Sequence, residues 1–217
     1  KLSGLDLAAV SNGLSNTDLA YADFSGAKID GVDFRDSKLE YADFSSASIT
    51  DARFNSEGTC LNNVNFETAK CNDANFNNAT LKEVDFTDAS LEGASFCDAD
   101  LSHATFEGAV AREAILSGSM PRSASFVGAN IEDAKFQEAD VSEATFSNAV
   151  LAGVDFRGAE LADTDFRSVS ANSNTEFGVR NYHECKADMA AEEHIKSEKG
   201  LKLEQLTEYE GNWSPSF

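Results

Sequence analysis

The sequence predicts an all-β solenoid, a coil that turns a square corner every five residues and stacks on itself about eight times. Three observations carry that prediction. Apolar centres recur at every fifth residue, as in Phe66, Cys71, Phe76, Leu81, Phe86, Leu91, Phe96, Leu101 and Phe106. A small residue stands two places before each of them, from Val64 and Ala69 to Ala99 and Ala104. Only 2 prolines interrupt 217 residues, which suits a backbone hydrogen-bonded almost without a break. A period of five fits neither a helix nor a flat strand, whose apolar residues return at three to four and at two. It fits a chain that buries the centre and the small residue before it and then turns.

Taken in order, residues 1–13 carry a weaker form of the pattern and are expected to cap the stack, because a terminal unit lacks a neighbour on one side. From Leu14 the centres run by fives through Leu19, Phe24, Ile29, Phe34, Leu39, Phe44 and Ile49 to Phe54. The next centre is Leu61, so two extra residues within Asn55–Cys60 are expected to form a small outward loop around Gly58. Counting resumes through Leu101 and Phe106, passes Ala111, Leu116 and Pro121, and recovers at Phe126. It then runs through Ile131, Phe136, Val141, Phe146, Leu151, Phe156, Leu161 and Phe166 to Ala171. Met120-Pro121-Arg122 removes a backbone donor, and a bulge is expected there. The repeat domain is thus 14–171. Residues 172–217 form a C-terminal segment in which Ala187 to Lys199 has helical composition, with Gly200 placed to end it and Trp213 and Phe217 beyond.

Four corners make one circuit, so centres ten residues apart face each other across the coil. One file holds Leu14, Phe34, Phe54, Phe76, Phe96, Leu116, Phe136 and Phe156. The opposite file holds Phe24, Phe44, Phe66, Phe86, Phe106, Phe126, Phe146 and Phe166. At strand spacing the rod is about 38 Å long. Large rings on two walls and Leu, Ile and smaller residues on the other two fill the interior.

Runs such as Ala42-Asp43-Phe44-Ser45-Ser46 and Ala99-Asp100-Leu101-Ser102-His103 resemble the pentapeptide-repeat proteins, and the resemblance covers Leu14 to Ala171. It implies a right-handed quadrilateral parallel β-helix with a C-terminal helical cap, a segment that in some members mediates homodimerisation. The regular Ala-Asp-Leu/Phe style is similar to cyanobacterial and plastid members, which implies the cytoplasm or the thylakoid lumen. More distantly it resembles the quinolone-resistance members, which bind DNA gyrase through a rod of B-DNA-like size and charge.

With 38 acidic and 17 basic residues the formal net charge is −21. Direct binding to nucleic acid or to anionic lipid is therefore disfavoured, whereas basic protein partners suit the charge. No apolar run reaches the length of a membrane span, so no membrane insertion is expected. The 4 cysteines lack CxxC spacing. Cys71 is expected inside, and Cys60 and Cys97 facing solvent. His103 is expected outside, while His183, Cys185 and His194 lack a fourth ligand and the usual metal spacing. No P-loop, GxGxxG or GxSxG is present. No catalytic residue, cofactor or metal site is expected, and the chain reads as a non-enzyme.

The informative part is the surface. Around the second phenylalanine file the outward positions carry Asp23, Asp43, Glu67, Asp85, Asp88, Glu107 and Asp165 against one base, Arg167. Around the first file, Asp33, Asp36, Asp98, Glu138 and Asp155 face Arg35, Arg53, Lys135 and Arg157, which is near balance. The acidic strip is the candidate interaction surface of a protein-binding scaffold. The alternative function is a DNA mimic that binds gyrase. The strip also has a plain structural reading, since Asp at a corner accepts hydrogen bonds from backbone amides.

Overall fold

The computed structural model describes residues 2–6, 13–171, 174–177 and 185–187. Within each five-residue unit the path is the same. The centre points inward, two residues make a turn, the small residue points inward, and the residue between it and the next centre bridges to the neighbouring coil. The bridges are parallel and join residues one circuit apart, as in Asp23 with Asp43, Asn65 with Asp85 and Asp85 with Thr105. Because the chain bends every five residues, each wall contributes a single bridging residue per coil rather than a long strand. Longer pairing occurs where β1 (Asp165–Phe166) lies parallel to β2 (Lys186–Ala187).

Each corner is a hydrogen-bonded turn. The amide of the small residue donates to the carbonyl of the preceding centre, as in Ala69 to Phe66 at 2.9 Å and Ala89 to Phe86 at 3.0 Å. The second residue after the centre has positive φ, for example Asp73 at 56°, Glu83 at 56° and Asp88 at 55°. That is the signature of a type II turn, whose third residue favours Gly or Asn. Here Asp, Glu, Ser and even Tyr occupy it, and the coil-to-coil hydrogen bonds on either side hold them there.

Two facing files of rings fill the interior as the sequence predicts. Within a file, successive rings stack nearly parallel, as in Phe66 on Phe86 at 4.9 Å and 9°, and Phe76 on Phe96 at 4.9 Å and 3°. Between files they meet edge-on, as in Phe76 against Phe86 at 5.7 Å and 75°. Both geometries suit the ring quadrupole. Phe24, Phe34, Phe44, Phe54, Phe66, Phe76, Phe86, Phe96, Phe106, Phe126, Phe136, Phe146, Phe156 and Phe166 are all buried. Some inward small positions are polar and satisfied. Ser37 Oγ donates to Leu14 O (2.6 Å), Ser119 Oγ to Leu116 O (2.6 Å), and Thr164 Oγ1 to Val141 O (3.1 Å).

The two departures from the count behave differently. At Asn55–Cys60 the circuit lengthens, so that Asp43 bridges to Asn65 and Lys38 to Cys60. The loop is pinned rather than free: Ser56 Oγ bonds Asp36, and the Asp36 amide donates to the buried Thr59 Oγ1 at 2.9 Å. The bulge expected at Met120-Pro121-Arg122 does not form. Pro121 O accepts the turn bond from Ala124 (3.2 Å), and Ser123 takes the usual positive φ of 54°. Pro121 has no N–H to donate to the next coil, but its carbonyl still accepts the turn bond, so one ladder bond is lost and the backbone keeps its course.

The ladder also runs beyond the limits set by the count. At the start, Leu2 N–H donates to Asp23 O (2.8 Å), and Asp6 bridges to Lys28. At the end, Glu176 bridges to Asp155, and Phe177 stacks on Phe156 at 5.3 Å while meeting Phe166 edge-on at 5.6 Å. Thr175-Glu176-Phe177 repeats the small–outward–Phe pattern of Thr164-Asp165-Phe166, displaced by one residue. Of the segment expected to be helical, Ala187 lies in β2 and the rest lies outside the described residues, as do His183, His194, Trp213 and Phe217.

Candidate interaction surface

The outward chemistry follows from one recurring amide. The residue just after each centre presents its N–H at the corner, and the chain supplies an acceptor in two ways. Where an Asp or Asn stands just before the centre, its carboxyl or amide oxygen accepts locally. Examples are Ser45 N–H to Asp43 Oδ1 (2.9 Å), Glu67 to Asn65 (2.8 Å) and Thr87 to Asp85 (2.8 Å). Where a Ser or Thr stands there instead, an Asp or Asn one coil away accepts. Asp30 receives Ser48 Oγ (2.7 Å) and Thr50 N–H (2.9 Å), and Asn77 receives Ser95 Oγ (2.7 Å) and Cys97 N–H (2.8 Å). The second arrangement escapes a unit-by-unit reading. Its signal is an Asn or Asp placed 18 residues before a Ser, as in Asn77 and Ser95.

Along the acidic strip, Asp23, Asp43, Asp85 and Asp165 stand just before their centres and hold the amides of Ser25, Ser45, Thr87 and Arg167. Their alignment is set by the bridges between Asp23 and Asp43 and between Asn65 and Asp85. Glu67, Asp88 and Glu107 stand after their centres and are exposed, with Glu107 accepting Ser125 Oγ at 2.9 Å. Asp165 is set apart. Arg167 grips it through Nε (2.9 Å) and Nη2 (2.5 Å), and between Glu107 and Asp165 the wall carries no acid. The negative stretch therefore spans the coils of Phe24 to Phe106, roughly 20 Å at strand spacing.

On the balanced wall Asp33 and Asp155 are paired with arginine. Arg35 binds Asp33 through Nε (2.9 Å) and Nη2 (2.7 Å), and Arg53 reaches the same carboxylate at 3.3 Å. Arg157 binds Asp155 at 2.5 Å and Glu176 at 2.9 Å. Hydrogen bonding from Arg35 holds the Asp33 carboxyl below its ordinary value. For Asp155 and Asp165 burial pushes upward, but the bonds from Arg157 and Arg167 together outweigh it and the net shift is downward. Asp100 is lowered the same way, with burial opposed by Ser102 and Lys82.

Elsewhere, His103 is exposed with a φ of 60°. Cys71 is buried, and burial pushes its thiol pKa up. Cys185 donates to Leu161 O at 2.8 Å and is pushed up to about 12, chiefly by burial. Cys60 and Cys97 are half-buried beside Asn62 and Ser95, less open than the sequence suggests. Among the described residues no group of three or more His, Cys, Asp and Glu side chains is placed to hold a metal ion.

One surface feature is invisible to the charge count. Tyr21 and Tyr41, both second after their centres, stack at 5.1 Å and 5° on one corner, 74% and 52% exposed. Their spacing of one coil is its only sequence signal.

A parallel coil with one bridging residue per wall, inward centres at every fifth residue and outward charges defines a β-helical repeat protein. Pentapeptide-repeat models match residues 17–55, 59–96, 81–118, 99–137 and 134–170 in 8 copies, and the chain belongs to that family, whose fold is a right-handed β-helix. The interval between the first two matches coincides with the pinned loop. Among solved structures, trypsin-treated QnrB1, a plasmid-mediated fluoroquinolone resistance protein, is similar over 90% of this chain and 95% of its own, at 21% identity and a TM-score of 0.51. A pentapeptide repeat protein from the cyanobacterium Cyanothece 51142 is 23% identical over 55% of this chain and 91% of its own (TM-score 0.42). HetL of Nostoc sp. strain PCC 7120, involved in regulating heterocyst differentiation, is 22% identical over 81% and 86% (TM-score 0.37). No curated protein matches the sequence.

Proposed function

We propose that this protein is a rigid, non-enzymatic scaffold that binds a protein partner along the acidic strip from Asp23 to Glu107. The observation that carries the reading is the separation of roles on that wall. Asp23, Asp43 and Asp85 each spend one oxygen on a backbone amide, which fixes the carboxylates in place, and among the described residues no ion pair closes Asp43 or Asp85. Charges held on a framework that does not need to reorder on binding lose little side-chain entropy when a partner docks. On the balanced wall, by contrast, Asp33 and Asp155 are closed by Arg35, Arg53 and Arg157. The C-terminal segment, as cap and as a dimer contact, belongs to the same proposal.

The second reading, a DNA mimic directed at gyrase, draws on the same strip and on the resemblance to the quinolone-resistance members. Magnitude weighs against it. A duplex presents about twelve phosphates over roughly 20 Å, while this wall offers Asp23, Asp43, Glu67, Asp85, Asp88 and Glu107 over that length. A gyrase supercoiling assay across salt concentrations, run beside affinity capture with the full chain as bait, separates the two. The scaffold reading expects a discrete protein partner and no change in supercoiling at micromolar protein. Salt-sensitive inhibition or protection of gyrase would establish the second reading in its place.

A further inference from the structure

We infer that the stacked corner of Tyr21 and Tyr41 is an anchor for an arginine side chain of a basic protein partner. Bulky side chains at positive φ are rare because Cβ crowds the following carbonyl. Yet both tyrosines sit at such a position, at 60° and 62°. The fold's own requirement there is met equally by Gly26, Asn63 or Asp73, so packing does not explain the choice. The backbone beneath the rings is fixed, and the rings stack on each other. Tyr21 N–H donates to Glu40 O at 3.0 Å and Tyr41 N–H to Asn62 O at 3.1 Å, which leaves a preformed aromatic face in solvent.

The surroundings specify the ligand. Glu40 immediately precedes Tyr41 in the chain, and its Oε2 is covered and receives no hydrogen bond. On the other side, Asp23 and Asp43 follow two residues after Tyr21 and Tyr41, at the head of the acidic strip. On the wall before the corner, a backbone bridge sets Asp18 beside Lys38 in the neighbouring coil. An exposed aromatic pair at the head of an acidic strip suits a planar cation that can stack and donate in its own plane. Guanidinium does both, whereas an ammonium group stacks poorly and is more strongly hydrated. A net charge of −21 favours a basic partner in general, and the tyrosine pair makes the demand specific to arginine.

The inference rests on the scaffold reading but is tested apart from it. Two fluorescein-labelled peptides of equal length and charge, one alternating Arg and Gly, the other Lys and Gly, are titrated into the full chain at roughly 0.15 M salt. The arginine peptide should bind about fivefold more tightly and should shift the ring protons of Tyr21 and Tyr41. In the double variant Tyr21→Asn, Tyr41→Asn the preference should vanish while the melting temperature holds or rises, since Asn tolerates this backbone. Equal affinity for the two peptides, no binding of either, or an arginine preference that survives the double substitution would each overturn it. Capture of a partner that ignores the double substitution would refute the anchor and leave the scaffold standing.

Discussion

Replacing Phe86 and Phe24 by alanine in turn tests whether the rings act as a ladder or merely as buried area. Both side chains are fully buried, so burial alone assigns them the same loss. Their ring contacts differ. Phe86 stacks on Phe66 (4.9 Å) and Phe106 (5.1 Å) and meets Phe76 and Phe96 edge-on at 5.7 Å each. Phe24 stacks on Phe44 (4.7 Å) and meets Phe34 edge-on (6.0 Å), with Leu2 in the adjoining coil. Truncating a core Phe costs about 3–5 kcal/mol, and an aromatic pair adds about 0.5–1.5 kcal/mol beyond its area. With two more ring contacts, Phe86→Ala should cost about 1–3 kcal/mol more than Phe24→Ala. Urea unfolding followed by circular dichroism, with the two variants measured side by side, reads the difference. Equal losses would refute the ladder and leave a core held by burial alone.

Other expectations follow from single positions. Asp85→Asn should change stability by less than about 1 kcal/mol, because Asn65 does the same work one coil away, while Asp85→Ala should cost about 1 kcal/mol by stripping the Thr87 amide of its acceptor. Glu83→Gly should raise the unfolding midpoint by the equivalent of up to about 1 kcal/mol, since Glu83 has a φ of 56° that glycine adopts without strain. Asp33, Asp100, Asp155 and Asp165 have carboxyls lowered in the fold from the ordinary 3.8. Their contribution is fully present above that value and is lost as pH falls through the lower folded values. Arg35→Ala should therefore raise the midpoint of acid unfolding, and an unchanged midpoint in an acid titration would contradict the pairing. In thiol labelling of the native protein, Cys60 and Cys97 should react before Cys71, which needs unfolding first.

Much of the fold was legible because burial in a five-residue coil is dictated residue by residue. A large centre such as Phe86 and a small residue such as Val84, two places before it, leave the backbone no other way to hide both. The termini were less legible. Thr175-Glu176-Phe177 follows a circuit one residue longer, so strict counting by fives steps past it even though Phe177 completes the ring file. Pro121 misled in the other direction, since a missing donor costs one ladder bond while its carbonyl still closes the turn with Ala124. On the surface, sequence located every acid of the strip but could not tell the roles apart. Only coordinates show that Asp165 is closed by Arg167, that Asp43 holds an amide, and that Glu67 stands exposed. The tyrosine corner depends on two residues 20 apart meeting at 5.1 Å, and period-five apolar patterning carries no information about it.

The triple variant Asp23→Asn, Asp43→Asn, Asp85→Asn removes three charges and keeps three turn acceptors, so it isolates the functional use of the strip from its structural use. Captured partner should be lost from this variant at physiological salt while its melting curve overlays that of the unsubstituted chain. Undiminished capture by a folded triple variant would contradict the assignment of the acidic strip as the binding face.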